Sequence, residues 1–193
     1  MIPELGHFAL ILALAVVVLA QTLLPLVGSF RGHAGWIALA RPAAWAHLGL
    51  LAVSFACLTA AFLHNDFSVL LVAEHSNTAL PTYYKVTAVW GNHEGSILMW
   101  ALILAAWTVA VATFSRQLPT VMVARVIAVM GFVSVGFLLF TLFTSNPFER
   151  LLPAAEDGRD LNPLLQDPGM IYHPPLLYMG YVGFSVAFAF AVA

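Results

Sequence analysis

Five apolar runs divide the chain: Leu5 to Val27, Pro42 to Leu63, Ser96 to Phe114, Val121 to Thr144 and Pro175 to Ala193. Each is about 19 to 24 residues long, and at 1.5 Å rise per residue such a helix crosses a hydrocarbon core of about 30 Å. Polar residues collect between the runs in connections of two kinds. Two are short and carry Arg31 and Arg41, then Arg116 and Arg125; two are long, covering roughly 65 to 95 and 145 to 174. No fixed-period repeat or Gly/Ser linker interrupts this pattern. The expected architecture is all-α: a polytopic membrane protein of about five transmembrane helices, with residues 1–193 forming one bundle and two longer loops on one face.

Composition places the chain outside the soluble range. Hydrophobic residues make up 62% and charged residues 8%, with a mean hydropathy of +0.93, so lipid is the solvent and nucleic acid is not an expected partner. The start, Met1-Ile2-Pro3-Glu4, has no basic segment ahead of its apolar run, so the first span is expected to be retained. The last residues, Phe188 to Ala193, end without a basic flank or a turn residue. The chain therefore reads as the N-terminal fragment of a longer protein.

Orientation follows from arginine and lysine near the span ends. Arg31, Arg41, Arg116 and Arg125 concentrate in the short connections, whereas Lys85, Arg150 and Arg159 are diluted over the long ones. The short loops are thus expected inside, and the N-terminus and both long loops outside. All 9 acidic residues, from Glu4 to Asp167, then fall outside as well. Cys57 is the single cysteine, which excludes an intrachain disulfide and suggests a small packing residue in the second span.

Chemistry-bearing residues lie at the outer face. The first long loop gathers Tyr83, Tyr84, Lys85 and Trp90, followed by His93, Glu94 and Ser96 at the start of the third span. One reading is an interfacial aromatic belt; the other is a polar group capping a helix start. The second long loop has defined proline and glycine turns, and Leu161, Leu164, Leu165 and Met170 argue that it packs against the bundle. It ends in Ile171-Tyr172-His173-Pro174-Pro175. A residue before proline is pushed out of the helical region, while proline suits a first helical turn. His173 is therefore expected as the last extended residue before a helix that begins at Pro174 or Pro175. The positive end of that helix would disfavour the imidazolium form and leave a neutral ring at the lip of the membrane. Such a ring can cap the loop or bind haem iron. His7, His33, His64 and His75 read as interfacial or hydrogen-bonded side chains, and His47 acquires a functional reading only if it faces the bundle interior. No histidine pair has zinc-site spacing.

Longer motifs add a resemblance. Asn77-Thr78-Ala79-Leu80-Pro81, Trp90-Gly91-Asn92-His93-Glu94-Gly95-Ser96, Gly158-Arg159-Asp160-Leu161-Asn162-Pro163-Leu164-Leu165-Gln166-Asp167-Pro168-Gly169 and His173-Pro174-Pro175 followed by Tyr178-Met179-Gly180-Tyr181-Val182-Gly183 closely resemble the cytochrome c maturation protein F family, along the entire chain. Asn92 replaces a residue that is usually small in that family. The resemblance implies a bacterial inner-membrane haem lyase subunit. It would take haem from a periplasmic haem chaperone and help attach the vinyl groups to apocytochrome c, alongside thioredoxin-like and apocytochrome-binding maturation subunits. It also implies that His173 is an axial ligand to the delivered haem, and that the haem-cradling tryptophans, the second outer histidine and the ligands of a separate b-type haem lie outside this fragment, which alone would be inactive. The rings of Tyr83, Tyr84 and Trp90 are candidates to cover the porphyrin, and Lys85, Arg150 and Arg159 are the outer cations for its propionates. A paralogous lyase dedicated to a multihaem nitrite reductase, a transporter, and a non-catalytic assembly subunit are the alternatives.

Overall fold

A computed structural model describes residues 1–193. Hydrocarbon offers no hydrogen-bond partner to a backbone, so each crossing has to be helical. Five helical stretches are long and apolar enough to cross: Ile2–Arg31, Ala34–Leu63, His93–Phe114, Thr120–Phe143 and Gly169–Val192. All five expected spans are present, and the multi-pass all-α reading is borne out.

The first crossing is composite. Helix α1 (Ile2–Val16) passes through a π-helical segment, Val17–Leu23, into α2 (Leu24–Arg31). Pro25 stands just past that segment, after Leu24. It lacks an N–H and its ring crowds the carbonyl of Gln21, four residues back, and a wider turn relieves the conflict. The wider turn also brings the neighbours Gln21 and Thr22 into the core together, both almost completely buried. Gly32 closes α2 in the left-handed conformation, at φ 68°.

The second crossing starts earlier than its apolar run. His33 Nδ1 accepts from Trp36 N at 3.2 Å and caps α3 (Ala34–Ala38), which leads into α4 (Ala40–Leu63). Pro42 lies in the first turn of α4, where its missing N–H has no intrahelical acceptor to lose. The first long connection is not simply a loop. It contains the short helices α5 (Leu70–His75) and α6 (Thr82–Ala88) and feeds α7 (His93–Phe114). Then come α8 (Thr120–Phe143), a long connection whose only regular element is the 3-10 turn Pro163–Leu165, and α9 (Gly169–Val192). In the bundle α1 packs on α4, α4 on α7, α7 on α8, and α9 leans on α7 and α8.

The two long connections interlock into a cap at one end. Leu70 N donates to Glu149 O at 2.9 Å, Leu151 N to Ser68 O at 2.9 Å, and Arg159 N to Ala73 O at 2.7 Å. A side chain at Gly158 would overlap the Ser76 carbonyl, so glycine is required for this approach. Phe67, Phe148 and Leu161 are buried beneath the seam. Leu161 and Leu165 pack on the core as expected, but Leu164 is 85% exposed. Asn162 Oδ1 accepts from Leu164 N at 3.0 Å and fixes the 3-10 turn in a direction that points Leu164 outward. At the opposite end the short connections are tied by Arg41 to Ser115 O (3.3 Å) and by Arg125 to Ser29 Oγ (3.1 Å).

Inside the bundle, His47 is fully buried, and its Nδ1 lies 3.0 Å from Gln21 Oε1. Gln21 Nε2 donates across to Ile127 O at 3.5 Å. A carbonyl only accepts, so the amide nitrogen faces Ile127 and the amide oxygen faces His47, whose Nδ1 carries the proton. Gly131 of α8 leaves the space for Thr22 and Gln21 to approach. Three crossings thus meet at one polar pair. His47→Leu should strand the Gln21 oxygen and lower stability by about 1–3 kcal/mol, whereas the His47→Leu/Gln21→Leu double variant should lose less than the single one. Unfolding in detergent measures both.

The cap has its own titratable tie. Asp157 accepts from the Thr78 hydroxyl at 2.8 Å, from Thr78 N at 3.0 Å and from Gly158 N at 2.8 Å. The Thr78 hydroxyl first, then the two N–H groups, hold its carboxyl below the usual carboxylate range. A depressed folded value means that this contribution is present above the unfolded pKa and is lost as pH falls through the folded one. The protection factors of the Thr78 and Gly158 amides, measured against the intrinsic exchange rate at each pH, should therefore fall on acidification, and Asp157→Asn should flatten that response.

Candidate functional site

Two of the candidate aromatic residues, Tyr84 and Trp90, reach the start of α9. Asp167 Oδ1 accepts from Gly169 N at 2.6 Å, and the helix begins there, with Pro168 as its N-cap. His173, Pro174 and Pro175 consequently lie inside α9. This corrects the expected extended His173 and the expected helix start at Pro174 or Pro175. The restraint on a residue before proline is a preference, and here the turn at Asp167 to Gly169 nucleates the helix five to six residues earlier. His173 therefore sits beyond the orphan N–H groups of the first turn instead of facing them. Its side chain is exposed, as are those of Tyr172 and Leu176.

Tyr84 and Trp90 are used differently from the expected porphyrin cover. Tyr84 Oη donates to Gln166 O at 2.8 Å, and Trp90 Nε1 donates to Met170 O at 3.0 Å. Burial, with Tyr83 and Asp167 nearby, holds the Tyr84 phenol above its ordinary value, so it remains a donor. Tyr83 packs on Tyr84 with ring centroids 4.4 Å apart and is 55% exposed. Deeper in, Trp100 meets Tyr178 edge-on at 5.6 Å, and Trp107 Nε1 donates to Met179 O at 3.1 Å.

The three cations separate. Lys85 is buried, with Nζ donating to Asn65 Oδ1 at 2.7 Å and to Thr78 O at 3.4 Å. It is engaged within the cap instead of standing free as expected: burying an ammonium demands partners for its protons, and Asn65 and Thr78 take two of the three. Arg150 bridges Glu4 at 2.7 Å and Asp66 at 3.8 Å, and donates to Ser68 Oγ at 2.8 Å. Arg159 alone has an exposed guanidinium without an ion-pair partner.

The start of α7 holds the feature that the sequence left open. Asn92 caps it: Oδ1 accepts from Gly95 N at 2.7 Å while Nδ2 donates to Ala88 O at 2.7 Å. The larger residue at this position therefore joins α6 to α7. His93 Nδ1 lies 2.7 Å from Ser145 Oγ, and its ring meets Phe140 edge-on at 5.7 Å, at the rim of a groove of about 340 Å³ lined by Ile97, Val133, Gly136 and Phe137. Ser145 was not singled out as a partner because 52 residues separate it from His93 and no local spacing signals the pair. No three His, Cys, Asp or Glu side chains converge on a metal position, so His173 offers a single exposed imidazole.

Comparison with known proteins agrees with the motifs. A family model described as "Cytochrome C assembly protein" matches residues 90–193. Over its full length the chain is 68% identical to the cytochrome c-type biogenesis protein CcmF of Pseudomonas aeruginosa and 58% identical to that of Escherichia coli K12, and it spans 29% and 30% of those proteins. The NrfE biogenesis protein of Haemophilus influenzae is 45% identical, again along the whole chain and 30% of the relative. A solved structure, "Cytochrome c Heme Lyase CcmF", superposes with a TM-score of 0.84 at 28% identity, covering 100% of this chain and 30% of its own. The chain thus spans under a third of the relatives it matches. With the family model covering the half that contains Trp90, His93 and His173, this multi-pass membrane protein belongs to the cytochrome c assembly protein family.

Proposed function

We propose that the chain forms the first helical bundle of a CcmF-type haem lyase subunit in a bacterial inner membrane, with the cap on the periplasmic side, and that His173 is an axial ligand to the haem being delivered. The observation that carries this reading is the exposed imidazole of His173, standing alone on the start of α9 at the cap end and inside the segment matched by the family model. Axial ligation from a helix fixes both the distance and the tilt of a porphyrin plane, which thioether formation needs because vinyl groups and reduced thiols have to be held together. Haem is the substrate here. A periplasmic haem chaperone supplies it, apocytochrome c receives it, and thioredoxin-like and apocytochrome-binding subunits complete the assembly. Arg159 is the cation left free for a propionate. Closer identity to the CcmF relatives than to NrfE favours general cytochrome c maturation over a nitrite-reductase-dedicated role.

His173→Ala in the intact protein should lower bound haem and cytochrome c maturation, and added imidazole should restore part of both by filling the axial position. Unchanged haem content, read from the Soret band of the purified protein, would sink the ligand assignment.

Orientation is tested separately. In a Cys57→Ala background, single cysteines at the exposed positions Ala79 and Ala154 should react with an impermeant thiol reagent in whole cells, and one at Gln117 should not. Labelling at Gln117 alone would invert the topology.

A further inference from the structure

Backbone accounting at the start of α9 leaves two carbonyls without helical partners. In an α-helix the N–H of residue i donates to the carbonyl of residue i−4. Pro174 and Pro175 have no N–H, so the carbonyls of Met170 and Ile171 lose their donors. Trp90 Nε1, 80 residues away in sequence, donates to Met170 O at 3.0 Å. An indole N–H is a donor only, so this bond commits its single polar function. From these observations we propose that Trp90 is a positioning residue for His173, replacing the backbone donor that Pro174 removes and so fixing the helical turn that carries the imidazole. The proposal rests on the haem-ligand reading of His173.

The surroundings make that bond consequential. Within residues 1–193 only 11% of the most apolar stretch of α9 is buried, against 33–50% for the other crossings, so the contacts this bundle itself makes with the helix are few. Met170 and His173 are three residues apart and therefore neighbours on one helical face. Trp90 is itself held, because the Asn92 cap joins the end of α6 to the start of α7 on either side of it. Met170 also packs beside Gly91, its Cε within 3.3 Å of where a Cβ would stand there. Tyr84, on Gln166 O, anchors the approach to the helix but touches no carbonyl orphaned by proline. A path of named contacts thus runs from the first cap connection through Trp90 and Met170 to His173. An aromatic-belt role would need only the ring and its depth, and would be indifferent to residue 174.

That difference supplies the test. Trp90→Phe keeps most of the ring and removes the donor; Pro174→Ala returns a backbone N–H directed at Met170 O. In the intact protein, Trp90→Phe should speed amide exchange over residues 171–177 in the haem-free state, and lower the fraction of low-spin, axially ligated haem, each by roughly two- to ten-fold, the span expected for one hydrogen bond. The same substitution in a Pro174→Ala background should change neither. An equal effect of Trp90→Phe in both backgrounds would overturn the proposal in favour of ring packing, and so would an absence of any effect on exchange. Wild-type haem spectra in His173→Ala would instead overturn the ligand reading, while the exchange coupling, measured without haem, reports on the tether independently.

Discussion

In lipid, a backbone carbonyl that loses its donor has no solvent to turn to, and the prolines of this chain create that problem at specific places. The bundle answers it in three ways. Pro42 falls in a first turn, where no donor is missed. Pro25 follows a π-helical segment whose wider turn relieves the crowding at Gln21. Pro174 leaves the Met170 carbonyl to an indole N–H from another part of the chain. The last two solutions fall where the structure is most specific, at the Gln21–His47 pair and at the start of α9.

The same constraint explains what could be read from sequence. Crossing helices are set by length and hydropathy, and all five were legible for that reason. Their ends were less so, because ends are decided by caps. Asn92 and His33 extend α7 and α3 beyond the apolar runs, and Asp167 starts α9 before its prolines. The π-helical segment gave no hydropathic signal, since Gln21 and Thr22 stand within a run that is apolar on either side. Local preference before proline pointed to an extended His173, and a turn nucleated five to six residues upstream overrode it.

For the site, the residue types were legible and their assignments only partly so. Lys85 reads as a free outer cation until Asn65 and Thr78 are seen around its ammonium. Arg150 is likewise claimed by Glu4 and Asp66, which lie more than 80 residues before it in the chain. Aromatic residues near a membrane surface suggest ring contacts, yet Tyr84 and Trp90 act through their O–H and N–H groups on backbone carbonyls. These are long-range pairings, and a sequence without its fold cannot assign them.

What remains after those pairings is informative in itself. The cap consumes Lys85, Arg150, Tyr84, Trp90 and Asp157 in its own hydrogen bonds, and it holds His93 through Ser145. His173 and Arg159 are left exposed, with neither side chain drawn into the hydrogen bonds that tie the cap together. An exposed histidine is ordinary on a soluble surface, where water satisfies it. Here it is mounted on a turn interrupted by two prolines, where a tryptophan N–H takes up one of the two carbonyls they orphan, that of Met170. A capping imidazole would need no such construction, because a cap requires only an extended residue at the helix end; a ligand requires a fixed direction, and a tethered turn inside a helix provides one.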